Sequence, residues 1–159
     1  MRRLVKFLHT LGSVGLMGSM ATLLVLMHDT PPPTDLAGYA LMRGAMAGVA
    51  TWVFFPSLAL TLMAGLLALG INRAFHNAGW AWAKLATGVL VFEGCLVDIV
   101  EPIQEEAKRS GLALAGKLDP TALTGAYGAE RGTLWVLLVV ATTNIVLGIW
   151  RPRFTRLPD

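Results

Sequence analysis

Ionisable side chains interrupt the apolar stretches of this sequence at His9, Lys84, Glu93 and Asp98, with Arg43 near an edge. An imidazole is a common axial ligand of haem iron, and an amine can ligate once burial has removed its proton. A carboxyl group in an apolar helix can carry a proton or pair with a cation. We therefore take His9 and Lys84 as candidate iron ligands and Glu93 as a candidate proton carrier.

The composition identifies the elements that must position these groups. Of 159 residues, 55% are apolar and 14% are charged, with a mean hydropathy of +0.61. A soluble domain carries about 25% charged residues, so this composition excludes a soluble enzyme, a disordered tail and a nucleic-acid-binding domain. Four apolar segments each approach the roughly 20 residues that cross a bilayer. The sequence predicts one all-α domain over 1–159, a polytopic membrane four-helix bundle with spans 4–27, 45–71, 79–100 and 133–150. An outer loop covers 101–132, and its charged first part, 101–110, continues either as a helix or as a loop.

The distribution of basic residues predicts the orientation of the bundle. Arg2, Arg3 and Lys6 precede the first span and three arginines lie in 151–156, whereas residues 28–35 contain neither lysine nor arginine. Basic flanks favour the cytoplasmic side. We expect a multi-pass protein of a bacterial inner membrane with both termini in the cytoplasm.

Turn-forming residues predict where the helices begin and end. Three prolines at 31–33 stop the first helix, and Asp35 is an N-cap for the second. Pro56 removes a backbone hydrogen bond and should kink the second helix. Asp119 followed by Pro120 predicts the cap and first position of the fourth helix, well outside the membrane.

The candidate iron ligands share a predicted depth. His9 lies roughly 7.5 Å into the first span, and Lys84 lies roughly 6 Å beyond Trp80 in the third. Gly12 and Gly88 lie one turn further along and leave space for a flat macrocycle. Simpler interpretations stay open: Lys84 extends to lipid headgroups, His9 bonds to a neighbouring helix, and the glycines pack helices closely.

Close helix packing is predicted for the second span as well. Gly44 and Gly48 lie one turn apart, as small residues at a helix contact do.

Glu93 is predicted to face away from Lys84, because nine residues at 100° each place the two side chains on opposite sides of a helix. We expect it either to tie helices together, through Arg43 or the polar residues 142–144, or to relay protons.

A soft-metal site is a further hypothesis. Thioether and imidazole groups suit copper(I), and the first helix carries such groups toward its outer end, although ordinary packing explains methionines equally well. The residues are Met17, Met20, Met27 and His28.

Three motifs carry a family resemblance that covers about residues 4–93. They are Lys6-x-x-His9, Pro56 followed nine positions later by Gly65, and Gly79-Trp80-x-x-x-Lys84-Leu85. In this order the motifs resemble HemJ-type membrane protoporphyrinogen oxidases. They are also similar to copper-resistance-D-like domains and to an uncharacterised family of predicted small integral membrane proteins.

The resemblance implies haem b between helices one and three, with His9 and Lys84 as iron ligands and Gly12 and Trp80 beside the cofactor. It also implies electron or hydrogen transfer by a membrane oxidoreductase, with a redox partner protein or a second copy of the chain as partner. Where that family has a further histidine in helix three, this chain has Glu93-Gly94-Cys95. The alternatives are a cofactor-free membrane scaffold that binds a partner, and a copper-handling membrane protein.

Overall fold

The structure is a computed structural model that describes residues 2–71, 79–123, 125 and 128–150. Within these ranges the chain forms four long helices and no strand. Helix α1 is Arg2–Asp29, α2 is Leu36–Ile71, α3 runs over 79–114, and α4 is Gly128–Trp150. The expected all-α four-helix fold is confirmed. The predicted turn over 72–78 and the basic residues after 150 lie outside the described residues.

Two helices in the described part of the chain are long and apolar enough to cross a membrane. They are Arg3–Asp29 and Leu36–Ile71. At 1.5 Å per residue, the 36 residues of α2 extend about 54 Å, against about 30 Å for the hydrocarbon of a bilayer. Helix α2 is therefore much longer than a membrane crossing requires.

The helix ends follow local chemistry in part. Helix α1 stops at Asp29, just before the three prolines, and the carboxylate of Asp35 accepts a 3.1 Å hydrogen bond from the Gly38 amide, as an N-cap does. Both predictions are confirmed. The expected start of the fourth helix at Asp119 is wrong. Asp119 caps only a short 3-10 turn, Pro120–Ala122, and α4 begins at Gly128.

The predicted outer loop contains a long helical segment, because α3 continues through Glu101–Leu114. One face of this segment is buried, at Ile103, Glu106, Ser110 and Ala113, and this spacing of three and four residues sustains a helix. The helix ends where Gly116 adopts a φ of 70°, with the Lys117 amide bonded to the carbonyl of Leu112. This is a Schellman cap, which the left-handed glycine makes possible.

The two longest helices each contain a π-helical turn just before a proline. The turn in α2 is Ala50–Phe54, followed by Pro56, and the turn in α3 is Leu96–Val100, followed by Pro102. In each, the last amide before the proline reaches back five residues, Phe55 to Ala50 and Glu101 to Leu96. A proline lacks the amide for an α-helical bond and its ring clashes with the preceding turn. The wider turn accommodates both effects, so the helices continue.

Helix α2 packs against both α1 and α3, and its two halves make different contacts. Its second half, Phe55–Ile71, packs against α1 and the first part of α3, while its first half, Leu36–Val49, packs against Glu101–Leu114. The two π-helical turns contact each other. Helix α4 packs against α1 and α3. Helices α2 and α3 therefore form one long antiparallel pair, to which α1 and α4 are added.

We divide the bundle into two halves along its axis. The outer half comprises 16–29, 36–58, 91–114 and 128–137, and the inner half comprises 2–15, 59–71, 79–90 and 138–150. All four helices contribute to the outer core, which includes Met20, Phe54, Cys95, Ile99 and Leu134. In the described inner half, the buried apolar side chains are only Val5, Ala64 and Ala81. The large side chains thus fill one half of the molecule.

The predicted close contact at Gly44 and Gly48 is wrong. A Cβ at either position would meet no described atom within 4 Å. The reason is the orientation of α2, which turns Tyr39, Arg43 and Met46 inward and therefore turns Gly44 out.

Candidate functional site

The imidazole of His9 lies in the inner half, at the seam between α1 and α2. Its Nδ1 atom is 2.9 Å from the carbonyl oxygen of Thr61, and its ring is 3.7 Å from a Cβ placed at Gly65. Because a carbonyl only accepts, Nδ1 carries the hydrogen and donates it. In the neutral ring this leaves the lone pair on Nε2, which is the arrangement that metal-binding histidines use.

The small residues that follow His9 bring two backbones together. At Gly12, a Cβ would lie 2.8 Å from the Thr61 amide nitrogen and 2.9 Å from the carbonyl oxygen of Ser57. At Gly15, it would collide with the Ser57 hydroxyl. The face of α1 that the sequence offered to a macrocycle is therefore in contact with α2.

The described contacts place His9 and Lys84 at similar depths. Gly12 lies against Thr61, and Gly88 lies against Leu62, with 3.8 Å from a Cβ at Gly88 to the leucine Cδ1. Position 84 lies one helical turn before Gly88, toward the inner end of the bundle. His9 lies one turn before Gly12 in the same direction. The side chains of Lys84 and Trp80 lie outside the described structure. Helix α1 packs mainly on α2, and α2 also packs on the first part of α3.

Glu93 is exposed on α3 and makes no hydrogen bond or ion pair with the described residues. Its expected partners have other contacts: Arg43 bonds to Tyr39 and Glu130, and Asn144 accepts a 3.3 Å hydrogen bond from Thr87. The predicted tie between Glu93 and these groups is absent because Glu93 is on the outward face of its helix. Asp98 is also exposed.

The candidate copper ligands of α1 do not converge. Met20 and Met27 are buried in the outer core, Met17 is half-buried, and His28 is exposed. In the part of the chain that the structure describes, no three His, Cys, Asp or Glu side chains form a metal-binding group.

A buried polar cluster at the outer end of the bundle joins three helices. Arg43 is completely buried, and its Nη1 lies 3.2 Å from Glu130 Oε2 on α4. Its Nε donates to the Tyr39 hydroxyl at 3.2 Å, and its guanidinium carbon lies 5.4 Å from the centre of that ring. The same hydroxyl donates to Glu106 on α3 at 2.7 Å. We call Tyr39, Arg43, Glu106 and Glu130 the outer cluster.

The environment keeps the phenol of Tyr39 neutral. Tyr39 lies about 28 Å along α2 from Leu58, which is the middle of the predicted span 45–71, and so outside that span. Burial is the main cause that raises the pKa of the phenol, and its hydrogen bond to Glu106 adds to this increase. The hydroxyl can therefore donate to Glu106 while accepting from Arg43.

The outer cluster also anchors the chain between α3 and α4. Arg109 lies 3.9 Å from Glu106 and donates a 2.6 Å hydrogen bond to the carbonyl of Ala122. Gly125 adopts a φ of 59°, and a Cβ atom placed on it would lie 3.1 Å from Cγ of Pro33. The two outer turns of the chain are thus held against the same end of the bundle.

Sequence reasoning identified Arg43 but not its partners. Glu106 lies in the charged run 101–110, for which the sequence predicts either a helix or a loop, and Glu130 lies near the end of the predicted outer loop. They are 63 and 87 positions further along the chain than Arg43. The available signal was the pattern Ile103, Glu106, Ser110, Ala113, which has the period of a helix and places one carboxylate on its buried face.

No protein-family model matches this chain, and neither the curated proteins nor the solved structures contain a significant match to it.

Proposed function

We propose that this chain is a multi-pass integral membrane protein of a bacterial inner membrane, with both termini in the cytoplasm. Its proposed role is that of a membrane scaffold that binds a partner protein. The observation that carries this proposal is the large number of exposed apolar side chains on the described helices, in both halves of the bundle. A soluble bundle would turn such side chains inward, because exposing them to water is unfavourable.

Every helix contributes large exposed apolar side chains to this surface. Trp52 is 80% exposed, and each of the four helices carries further exposed apolar groups. Lipid tails cover such a surface without cost, so the bundle needs no further protein to hide it. Examples from the four helices are Phe7 and Val14 on α1, Trp52 and Leu67 on α2, Leu90 and Val97 on α3, and Trp135 and Val139 on α4.

The part of the bundle that extends beyond the proposed membrane supports the binding role. Leu36–Val49 and Glu101–Leu114 pack together and are held by the outer cluster, which fixes their orientation relative to α4. A rigid helical extension presents the same surface at all times, which lowers the entropic cost of binding.

The experiment combines membrane extraction with cysteine labelling. Alkaline carbonate should leave the protein in the membrane pellet. In intact spheroplasts, a membrane-impermeant maleimide should label Asp119→Cys at the outer turn, and should label Lys6→Cys only after permeabilisation. The native Cys95 is fully buried and serves as an internal blank. Release by carbonate contradicts the membrane assignment, and the reverse labelling pattern contradicts the orientation.

A second proposed function is haem b binding in the inner half, through Nε2 of His9 and with Lys84 as a second ligand. The specific observation in its favour is the donation from Nδ1 to Thr61, which leaves Nε2 for a metal. Haem would supply one-electron transfer chemistry, and His9 would bind and orient it.

An absorption spectrum of detergent-purified protein tests this second function. A Soret band should be present in the wild type and in His28→Ala, whose imidazole is exposed at the opposite end of α1, and should be lost in His9→Ala. A colourless protein of full helical content, purified from haem-replete cells, would contradict it.

A further inference from the structure

We infer that the face of α3 around Glu93 docks a transmembrane helix of another protein, and that this helix carries a lysine or arginine at the depth of Glu93. The inference deepens the proposed scaffold role by assigning the chemistry of the partner, and it rests on the membrane placement of the bundle.

Glu93 lies near the middle of the membrane. The predicted span of α2 is centred at Leu58, and Leu62, which contacts Gly88, is about 6 Å inward of that centre. Glu93 is five residues further along α3 than Gly88, which is about 7.5 Å outward. Glu93 therefore lies within a few ångströms of the depth of Leu58. The contact between the two π-helical turns further out supports this alignment.

The face that carries Glu93 points away from the bundle. One turn before and one turn after it, Leu90 and Val97 are 67% and 57% exposed, and Val89 is exposed as well. The carboxyl group therefore lies among apolar side chains that meet lipid. The hydrocarbon edge is about 15 Å away, which is too far for a glutamate side chain to reach water.

A carboxylate in this position is costly without a partner. Charged side chains at the centre of membrane helices pair with one another or with backbone carbonyls, because an isolated charge in hydrocarbon is unfavourable. None of the described cations forms an ion pair with Glu93, and Arg43, the expected partner, bonds within the outer cluster. A donor from outside the chain satisfies the group.

A second copy of this chain does not supply that donor. A twofold axis along the membrane normal would bring the same face of α3 against itself, and would place Glu93 against Glu93. Beyond the membrane the same face carries Glu101 and Glu105, both exposed, with only Lys108 to offset them. Like charges at short range repel, so this face favours a different and basic helix.

The test uses leucine-rich synthetic transmembrane peptides and the full-length protein in phosphatidylcholine vesicles. Association is measured by energy transfer from a labelled peptide to the labelled protein. A peptide with one central lysine should associate, and a peptide with leucine at that position should not. Glu93→Gln should weaken association with the lysine peptide roughly three- to thirtyfold, as expected for one buried interhelical contact.

The matched control is Glu105→Gln, which makes the same chemical change on the same face outside the membrane. It should leave association unchanged. Equal association of both peptides, no effect of Glu93→Gln, or an equal effect of Glu105→Gln would each overturn the inference.

Two further readouts separate the alternatives. A membrane-soluble carbodiimide that modifies Glu93 in native membranes would show a lipid-facing, protonated acid that acts as a proton carrier, and would overturn the inference. A dimer in vesicles that dissociates in Glu93→Gln would also overturn it, in favour of self-association. Retention of the protein in the membrane after a carbonate wash tests the membrane placement separately. A failed association therefore contradicts the docking inference alone.

Discussion

The two halves of the bundle are held together by different means. The outer half buries large side chains from all four helices and closes with the cluster of Tyr39, Arg43, Glu106 and Glu130. The inner half holds α1 to α2 by close backbone approach at Gly12 and by one hydrogen bond from His9. Side-chain volume thus determines the outer packing, whereas at the inner contact between α1 and α2 the absence of a side chain lets the backbones approach.

This difference indicates where the molecule tolerates change. Interiors filled by large side chains respond to the loss of a single group, because the remaining atoms do not close the gap. An interface made by glycine responds instead to added volume. The two halves should therefore be sensitive to opposite kinds of substitution, and the following changes test this contrast from the largest effect to the smallest.

Removing the buried cation should produce the largest effect. Arg43→Met leaves Glu130 and the Tyr39–Glu106 pair without their positive partner, and breaking a buried ion pair costs about 3–5 kcal/mol. The measurement is helix loss during denaturation by sodium dodecyl sulfate in mixed micelles. Arg109→Met, at the partly exposed edge of the cluster, should cost under about 1 kcal/mol. Equal losses would mean that the outer cluster contributes only surface pairing.

Adding one methyl group to the inner seam should be the next largest effect. In Gly12→Ala, the new Cβ meets backbone atoms of Thr61 and Ser57, so α1 and α2 must move apart at a cost of about 1–3 kcal/mol. The same denaturation assay measures it. Gly18→Ala, where the methyl group meets no described atom, is the matched control and should be neutral or stabilising. A neutral Gly12→Ala would contradict close packing of the inner seam.

Loss of the imidazole should have a smaller effect on stability. His9→Ala removes the hydrogen bond to Thr61, worth about 1 kcal/mol, while the carbonyl keeps its place in α2. The thermal midpoint in detergent should fall slightly, and His28→Ala should leave it unchanged. A loss as large as that of Arg43→Met would show that the inner half depends on side chains after all.

The weakest effect should come from the outer turn. Hydrogen bonds from the Thr121 amide and hydroxyl hold the pKa of Asp119 below its ordinary value. A lowered pKa in the folded state means that the carboxylate stabilises the turn above its unfolded pKa of about 3.9, and that this contribution disappears as the pH falls through the folded value. Amide exchange at Thr121 should therefore accelerate in Asp119→Ala at neutral pH. An unchanged rate would contradict the cap.

Local signals in the sequence were enough to predict where the first helix ends and the second begins. The prolines at 31–33 and the carboxylate of Asp35 act on their immediate neighbours, and those predictions agree with the structure. The prediction that the fourth helix starts at Asp119 was wrong because an aspartate caps a 3-10 turn as readily as an α-helix. The neighbouring residues do not distinguish the two. The predicted orientation in the membrane, the iron ligands and the cofactor stay predictions.

Long-range partners were harder to predict. The bond between His9 and Thr61 crosses 52 positions, and that between Arg43 and Glu130 crosses 87. Such pairs follow from the angle and depth of packed helices, which the hydropathy of separate spans does not specify. The exposure of Glu93 has the same origin, because only the packing of α3 shows which of its faces is left uncovered.

The paired π-helical turns place a constraint on chain length. Buried positions recur every four residues through each turn, at 46, 50, 54 and 58 in α2 and at 91, 95, 99 and 103 in α3. A regular α-helix would drift by about 120° over those twelve residues, and the extra residue in each turn absorbs most of the drift. Removing the extra residue from either segment would restore a regular helix of nearly the same phase, so Arg43 and Glu106 would still face their counterparts, but the proline ring would then meet the turn before it. The length of each segment is therefore matched to its proline, and the two can change only together.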